Sequence, residues 1–175
     1  LSRAFPDARF IIVLRDPRSA IASALRTPEK TQVPHVLSFA KCWRKYVAVA
    51  EHLKADPVIG ERLFVLTYED LVRDPEEWTR KICDFLNVAF GPDMLNTDNF
   101  VTPGGAWQGN SHMGGPTSGI FTSSIDAWRS YLPTEIVETI EYLCDAEIRL
   151  LGYTHSEVSG DPSPSFDSIR FITKD

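Results

Sequence analysis

A short apolar run that ends on a charged residue constrains the fold of this chain more than any other feature. Residues 9–26 read RFIIVLRDPRSAIASALR, in which the apolar residues 10–14 lead directly into Arg15 and then into Asp-Pro. An apolar run of this length is typical of a strand that is buried on both faces, whereas Asp-Pro is a common helix start. The sequence therefore predicts a strand that ends at Leu14, followed by a helix from Pro17 to about Arg26.

A similar arrangement returns in the middle of the chain. Residues 63–67, LFVLT, form a second short apolar run, and the polar stretch Tyr-Glu-Asp follows it. Asp-Pro then restarts a helical pattern at Pro75. Buried strands that alternate with helices indicate a parallel sheet. We therefore expect an α/β fold in which helices flank a parallel sheet.

Two longer helices are predicted from apolar residues at three- and four-residue spacing. One runs from Val36 to about Leu53, with Trp43 in the core, and the other from Pro133 to Leu151, closed by Gly152. The residues after Tyr153 are rich in polar side chains and proline. We accordingly expect one domain over 1–153 and a weakly ordered tail over 154–175.

Composition excludes several classes of protein. The 175 residues are 43% hydrophobic and 24% charged, as in soluble globular domains, and charge or proline interrupts every apolar run. A membrane span is therefore not expected. Three dispersed cysteines lack metal-ligand spacing and sit among apolar residues, so we expect buried free thiols, no metal and a cytoplasmic location.

The charge of the chain is unevenly distributed. The net charge is −6, which argues against a nucleic-acid partner. Residues 1–50 nevertheless hold nine Lys and Arg against three Asp and Glu, while the rest holds nine against twenty-one. A small anionic ligand near the first segment fits this distribution.

Arg15 is the leading candidate for contact with such an anion. In open α/β sheets, ligands bind beyond the carboxyl ends of the strands, and a guanidinium beside helix-start N–H groups suits an anion there. The structural alternative is an ion pair between Arg15 and one of the nearby carboxylates, which are Asp16, Glu69 and Asp70.

Three ordered segments make the chain resemble the sulfotransferase family, whose members use 3′-phosphoadenosine 5′-phosphosulfate. They are FIIVLRDPRSAIAS, VLTYEDLVRDP and a carboxyl-terminal segment from GNSHMGG to LLGY, and together they span nearly residues 1–153. The resemblance implies that Arg15 and Ser23 bind the 3′-phosphate of the donor and that Tyr68 lies by the adenine. Ser19, one helical turn before Ser23, is a second candidate ligand.

The resemblance also draws attention to the Gly-rich loop 102–119, where Ser111 could reach the nucleotide. Each of these assignments has a plainer alternative: the serines could form a small-residue packing face, the tyrosine could belong to the core, and loop glycines often serve turns alone. His112, beside Ser111, is the least implausible histidine for a catalytic base, and the sequence assigns no catalytic residue.

One departure from the family is large. Members carry a Gly-containing phosphosulfate loop with Lys or Arg upstream of the 3′-phosphate element, and no Gly-Thr-Thr or Gly-Lys-Ser/Thr run precedes Arg15. The chain therefore resembles the carboxyl-terminal portion of a sulfotransferase, and the resemblance implies a parallel, P-loop-like sheet that is truncated at its amino-terminal strand.

The expected function is transfer of a sulfuryl group to an acceptor hydroxyl or amine, with this chain carrying the 3′-phosphate and adenine half of the site. The product nucleotide would be adenosine 3′,5′-bisphosphate. The alternatives are a non-catalytic sulfotransferase-like binding module and a nucleotide kinase-like P-loop protein.

Overall fold

Two parallel strands organise the chain in the computed structural model, which describes residues 4–25, 36–97, 101–102, 105–106 and 119–156. Strand β1, Phe10–Leu14, pairs with strand β2, Leu63–Thr67, in a register that places Phe10 opposite Leu63 and Leu14 opposite Thr67. Both strands have the bounds expected from the apolar runs. A parallel pair needs a long crossover connection, and helices supply it here. The predicted α/β fold with a parallel sheet is confirmed.

Strand β1 is buried on one face rather than on both, so that part of the expectation is wrong. Leu14 is 4% exposed, whereas Ile11 and Val13 are 39% and 50% exposed. Successive strand side chains point to opposite faces, so these two residues share a face. The described residues leave that face largely uncovered, which is why two apolar side chains remain open to solvent.

Six helices account for half of the described residues. They are α1 Pro17–Leu25, α2 Val36–Ala55, α3 Tyr68–Arg73, α4 Pro75–Leu86, α5 Thr134–Leu143 and α6 Asp145–Leu150. A second, antiparallel pair consists of β3 Val101–Thr102 and β4 Gly105–Ala106. Short 3₁₀ turns cover Gly60–Arg62, Pro92–Leu95, Thr122–Ser124 and Ala127–Ser130.

Helix α3 was not expected from the sequence, although a local signal for it exists. The Thr67 side chain accepts a hydrogen bond of 3.1 Å from the backbone N–H of Asp70, which caps the helix directly after β2. A Thr followed three residues later by an acidic residue is a recognised helix start. The polar stretch after β2 is therefore helical from its first residue, Tyr68.

The predicted helix over 133–151 is divided in two. Cys144 separates α5 from α6 and has φ of −111° and ψ of 12°, outside the α-helical region. The second helix ends as expected at Gly152, whose φ is 76°. Its N–H donates to the carbonyl of Arg149 at 3.1 Å, and the N–H of Tyr153 donates to the carbonyl of Ile148 at 3.0 Å. This paired arrangement is a Schellman cap.

The described residues fall into two compact units. The strand unit lies within Leu1–Leu14 and Ala50–Thr122, and the arginine unit within Arg15–Val49 and Ser123–Asp175. Apolar residues of the strand unit that are buried include Leu14, Leu66, Val72 and Cys83. Those of the arginine unit include Ile21, Val36, Val47, Ile136, Ile140 and Ile148. No described helix has both the length and the apolar content that crossing a membrane requires.

Candidate functional site

Arg15 follows β1 directly and is fixed at both of its ends within the arginine unit. The indole N–H of Trp43 donates a hydrogen bond of 2.7 Å to the carbonyl of Arg15. At the other end of the side chain, Nη2 of Arg15 donates to the carbonyl of Ser124 at 2.9 Å. Trp43 is a core residue, as predicted, with 7% of its surface exposed. The core thus holds the backbone of Arg15, and the 3₁₀ turn that ends at Ser124 holds its guanidinium.

The start of helix α1 contains a buried ion pair. The Asp16 side chain accepts from the backbone N–H of Arg18 at 2.8 Å, as a helix-capping carboxylate does. The Arg18 guanidinium also donates to both Asp16 oxygens, from Nε at 2.9 Å to Oδ1 and from Nη2 at 2.6 Å to Oδ2. Asp16 is 5% and Arg18 is 3% exposed. Asp16, the carboxylate next to Arg15 in sequence, is therefore neutralised by Arg18.

A second carboxylate and an aromatic ring complete the surroundings of Arg18. Its Nη1 donates to Oε1 of Glu141 at 2.6 Å, and its Cζ lies 4.4 Å from the centre of the Trp128 ring. Burial acts to lower the pKa of Arg18, but hydrogen bonds and the charges of Asp16 and Glu141 outweigh it and raise the pKa above its ordinary value. Arg18 therefore stays charged inside the arginine unit.

The network of Asp16, Arg18 and Glu141 was not predicted from the sequence. Arg18 carried a weak signal, because it stands two residues after a helix-capping aspartate. Glu141 carried none, since nothing in the helical pattern of α5 marks it as the partner of a residue 123 positions earlier. Glu141 also accepts from the backbone N–H and the hydroxyl of Ser156, at 2.8 and 3.0 Å. The first residues of the expected tail are thus held by α5.

The two candidate serines of α1 differ in their surroundings. Ser19 is 2% exposed, and its hydroxyl donates to the carbonyl of Ile125 at 2.7 Å. Ser23, one helical turn further on, is partly exposed. The structure therefore gives the Ser19 proton a backbone partner, while Ser23 keeps contact with solvent.

The remaining candidates do not belong to the arginine unit as it is described. Tyr68 is the first residue of α3, directly after β2, and belongs to the strand unit, where it is partly buried. Ser111 and His112 lie outside the described residues. Arg15, Ser19 and Ser23 are thus the three candidates that one unit contains.

The cysteines match the sequence expectation in part. All three are free, with Cys83 and Cys144 buried but Cys42 exposed on α2, contrary to the expectation. Burial, with a smaller contribution from the charge of Glu147, raises the pKa of the Cys144 thiol to about 12. Within the described ranges, no group of three or more His, Cys, Asp or Glu side chains is arranged to hold a metal ion.

The strand unit has a cavity of its own, with a volume of about 520 Å³. Its lining includes Arg9, which precedes β1, and Arg62, which precedes β2, together with Asp84 and Phe85. It therefore lies at the amino ends of the strands, whereas Arg15 and Tyr68 follow their carboxyl ends.

Comparisons with known proteins agree with the resemblance in the sequence. A sequence model described as "Sulfotransferase family" matches residues 1–92. The chain is 26% identical to the protein-tyrosine sulfotransferase of Drosophila melanogaster, over 85% of this chain and 31% of that protein. It is 27% identical to carbohydrate sulfotransferase 5 of Mus musculus, over 87% of this chain and 44% of that protein.

Two solved structures share the fold. The sulfotransferase domain from the curacin biosynthetic pathway superposes with a TM-score of 0.56 at 23% identity, covering 85% of this chain and 54% of that one. The sulfotransferase domain from the Synechococcus PCC 7002 olefin synthase gives 0.52 at 26% identity, covering 80% and 49%. The chain spans less than half the length of the two curated relatives named above. Since the family's own sequence model matches more than half of its residues, the chain belongs to the sulfotransferase family.

Proposed function

We propose that this chain carries the 3′-phosphoadenosine half of a site that transfers a sulfuryl group from 3′-phosphoadenosine 5′-phosphosulfate to an acceptor hydroxyl or amine. The family generally uses this donor. The observation that carries the proposal for this chain is the placement of Arg15. Arg15 directly follows β1 in the chain, its carbonyl accepts from the Trp43 indole, and its Nη2 donates to the carbonyl of Ser124.

The residues fit the chemistry of the nucleotide. A 3′-phosphate is a compact dianion, and a guanidinium binds such a group through charge-assisted, often paired hydrogen bonds. A hydroxyl at Ser23 supplies a further neutral donor from α1. The tyrosine ring at position 68 offers a flat, partly apolar surface for the adenine. Ser111 remains a predicted contact.

When bound, the donor supplies the sulfuryl group, and the residues proposed here position the nucleotide. Arg15 and Ser23 fix the 3′-phosphate, which distinguishes this donor from ATP. The relatives named above are a protein-tyrosine and a carbohydrate sulfotransferase. We therefore propose an acceptor nucleophile of the hydroxyl or amine class.

Calorimetry with two nucleotides tests the proposal, because adenosine 3′,5′-bisphosphate and AMP differ only in the 3′-phosphate. We expect the protein to bind the bisphosphate more tightly. The Arg15→Ala variant should lose about 1.5–3 kcal/mol of that binding, the range for a hydrogen bond to a charged group, with little change for AMP. Arg149→Ala is the matched control, since this arginine of the same unit is 71% exposed and pairs with Asp145.

Equal affinity of the unmodified protein for the two nucleotides would overturn the proposal. A preference for AMP would instead favour the kinase-like alternative. Tight binding of the bisphosphate without sulfuryl transfer by the full-length protein would favour the non-catalytic binding module.

A further inference from the structure

We propose that Trp43 and Ser19 are positioning residues for the Arg15 guanidinium, so that both act on a bound 3′-phosphate through Arg15 and neither touches it. This inference rests on the proposed function and deepens it. It also gives Ser19 a positioning role in place of the direct contact with the 3′-phosphate that its place one helical turn before Ser23 predicts.

Trp43 holds the backbone end of Arg15. Leu14 is the last residue of β1 in the paired register, so the carbonyl of Arg15 lies beyond the strand ladder. The indole N–H, which can only donate, reaches this carbonyl at 2.7 Å. Because Trp43 is buried in the packed face of α2, its ring position is fixed by the core. The point at which the Arg15 side chain begins is thus defined by core packing.

Ser19 positions the guanidinium end of Arg15 indirectly, through the backbone of residues 124–125. Nη2 of Arg15 donates to the carbonyl of Ser124, and Oγ of Ser19 donates to the next carbonyl, that of Ile125. Two residues four positions apart therefore bind two consecutive carbonyls. The Ser19 bond is buried, so water competes with it little. Its role is to keep the 124–125 backbone where it can hold the guanidinium.

Fixing both ends matters because an arginine side chain has many rotamers. A guanidinium that is already oriented when the nucleotide arrives loses less conformational freedom on binding, which increases affinity. The bond from Nη2 to the carbonyl of Ser124 orients the guanidinium before the nucleotide arrives. The two positioning contacts should therefore affect the affinity for the 3′-phosphate and leave the affinity for the rest of the nucleotide alone.

The experiment measures the ratio of the affinities for adenosine 3′,5′-bisphosphate and AMP by calorimetry. Trp43→Phe removes the indole N–H, and Ser19→Ala removes the hydroxyl. Each should lower the ratio by about fivefold, the factor that corresponds to about 1 kcal/mol for one lost hydrogen bond. A general loss of folded protein would lower the apparent binding of both nucleotides together and leave the ratio unchanged.

Two matched control variants remove the same chemical groups, an indole N–H and a buried hydroxyl, at other positions in the protein. Trp78→Phe alters an indole that packs edge-on against Phe64, with ring centres 6.3 Å apart. Thr139→Val removes a buried hydroxyl that donates to the carbonyl of Glu135 at 2.7 Å, inside α5. The first substitution changes a ring of the strand unit and the second removes a bond inside α5, so both variants should keep the original ratio.

The same two substitutions in an Arg15→Ala background separate positioning from direct contact. If Trp43 and Ser19 act through Arg15, neither substitution lowers the ratio further once the guanidinium is gone. A further drop for Ser19→Ala in that background would show that Ser19 binds the phosphate itself and would overturn its positioning role.

The failure of this inference can be distinguished from the failure of the proposed function. If the unmodified protein binds both nucleotides equally, the proposed function fails. If it prefers the bisphosphate but both single variants keep the full ratio, only the positioning role fails. Should Trp43→Phe not fold, Ser19→Ala decides the outcome alone, since it deletes a single oxygen atom.

Discussion

Arg9 and Arg62 of the strand unit are held in the opposite way from Arg18 of the arginine unit. In the strand unit, Arg9 is exposed and donates to the carbonyl of Phe85, and Arg62 donates to the carbonyls of Pro6 and Ala8. In the arginine unit, Arg18 is buried between two carboxylates and an indole ring. Water solvates and stabilises a charge at the surface, whereas a buried charge is stabilised only by charged or polar partners in fixed positions. The difference places the more rigid electrostatic framework in the unit that contains Arg15.

The largest effect that tests this comparison is expected at Arg18. Arg18→Ala would leave the carboxylates of Asp16 and Glu141 buried without their cation, which we expect to cost about 3–5 kcal/mol of unfolding free energy. Denaturant unfolding measures this loss. The control is Arg129→Ala, which removes the second guanidinium on Trp128, also 4.4 Å from its ring. The Arg129 side chain is 55% exposed, so we expect a loss below about 1 kcal/mol. Equal losses in the two variants would contradict the comparison.

A smaller effect distinguishes the helix ends of the two units. The arginine unit closes α6 with Gly152 at φ of 76°, and the strand unit closes α4 with Asn87 at φ of 58°. Gly152→Ala forces a Cβ into this left-handed conformation and should cost about 1 kcal/mol. Asn87→Gly should be neutral or slightly stabilising, because glycine adopts the same conformation without strain. Thermal unfolding of both variants checks the signs, and a stabilised Gly152→Ala variant would contradict the cap assignment.

The smallest effect concerns Asp56, a carboxylate of the strand unit. Backbone N–H groups stabilise its charge, whereas a buried guanidinium stabilises the charges of Asp16 and Glu141 in the arginine unit. Oδ1 of Asp56 accepts from the backbone N–H groups of Ile59 and Val58, at 2.8 and 2.9 Å, and these bonds lower the pKa of Asp56 below its usual 3.8. The lowered pKa means that ionised Asp56 stabilises the fold above its unfolded pKa, and that this contribution disappears as the pH falls through the folded value.

Asp56→Ala should therefore lower the melting temperature near pH 7. The difference from the unmodified protein should shrink as the pH falls from 7 through the lowered pKa of folded Asp56. Melting curves across this range measure it. A difference that stays constant with pH would show that the effect of the substitution is not carried by the ionised carboxylate.

The sequence predicted elements that depend on local chemistry. The bounds of β1 and β2 follow from short apolar runs between charged residues, and Gly152 ends α6 because few other residues tolerate its backbone conformation. Exposure of Ile11 and Val13 could not be predicted in this way. Their exposure depends on which other elements pack on the sheet. A continuous apolar run is compatible with a strand that is covered on one face and with one that is covered on both.

For the candidate site, the positions of the residues along the strands and helices could be predicted from the sequence, but their hydrogen-bond partners could not. The place of Arg15 at a strand end follows from the apolar run before it. Its contacts with Trp43 and Ser124 join residues 28 and 109 positions apart, and no local pattern encodes a pairing over such distances. Ser19 is a second example, because its position on α1 is local information while its bond to the carbonyl of Ile125 joins residues 106 positions apart.

The pairing of Arg18 with Glu141 has a consequence for biosynthesis. The two residues are 123 positions apart, and the arginine unit combines the segment 15–49 with the segment after 122. At a translation rate of about 5–20 residues per second, Glu141 is synthesised about 6–25 s after Arg18. During that interval the apolar faces of α1 and α2 lack the helices α5 and α6. The arginine unit must therefore complete its folding late in synthesis, and its amino-terminal segment exposes apolar surface until then.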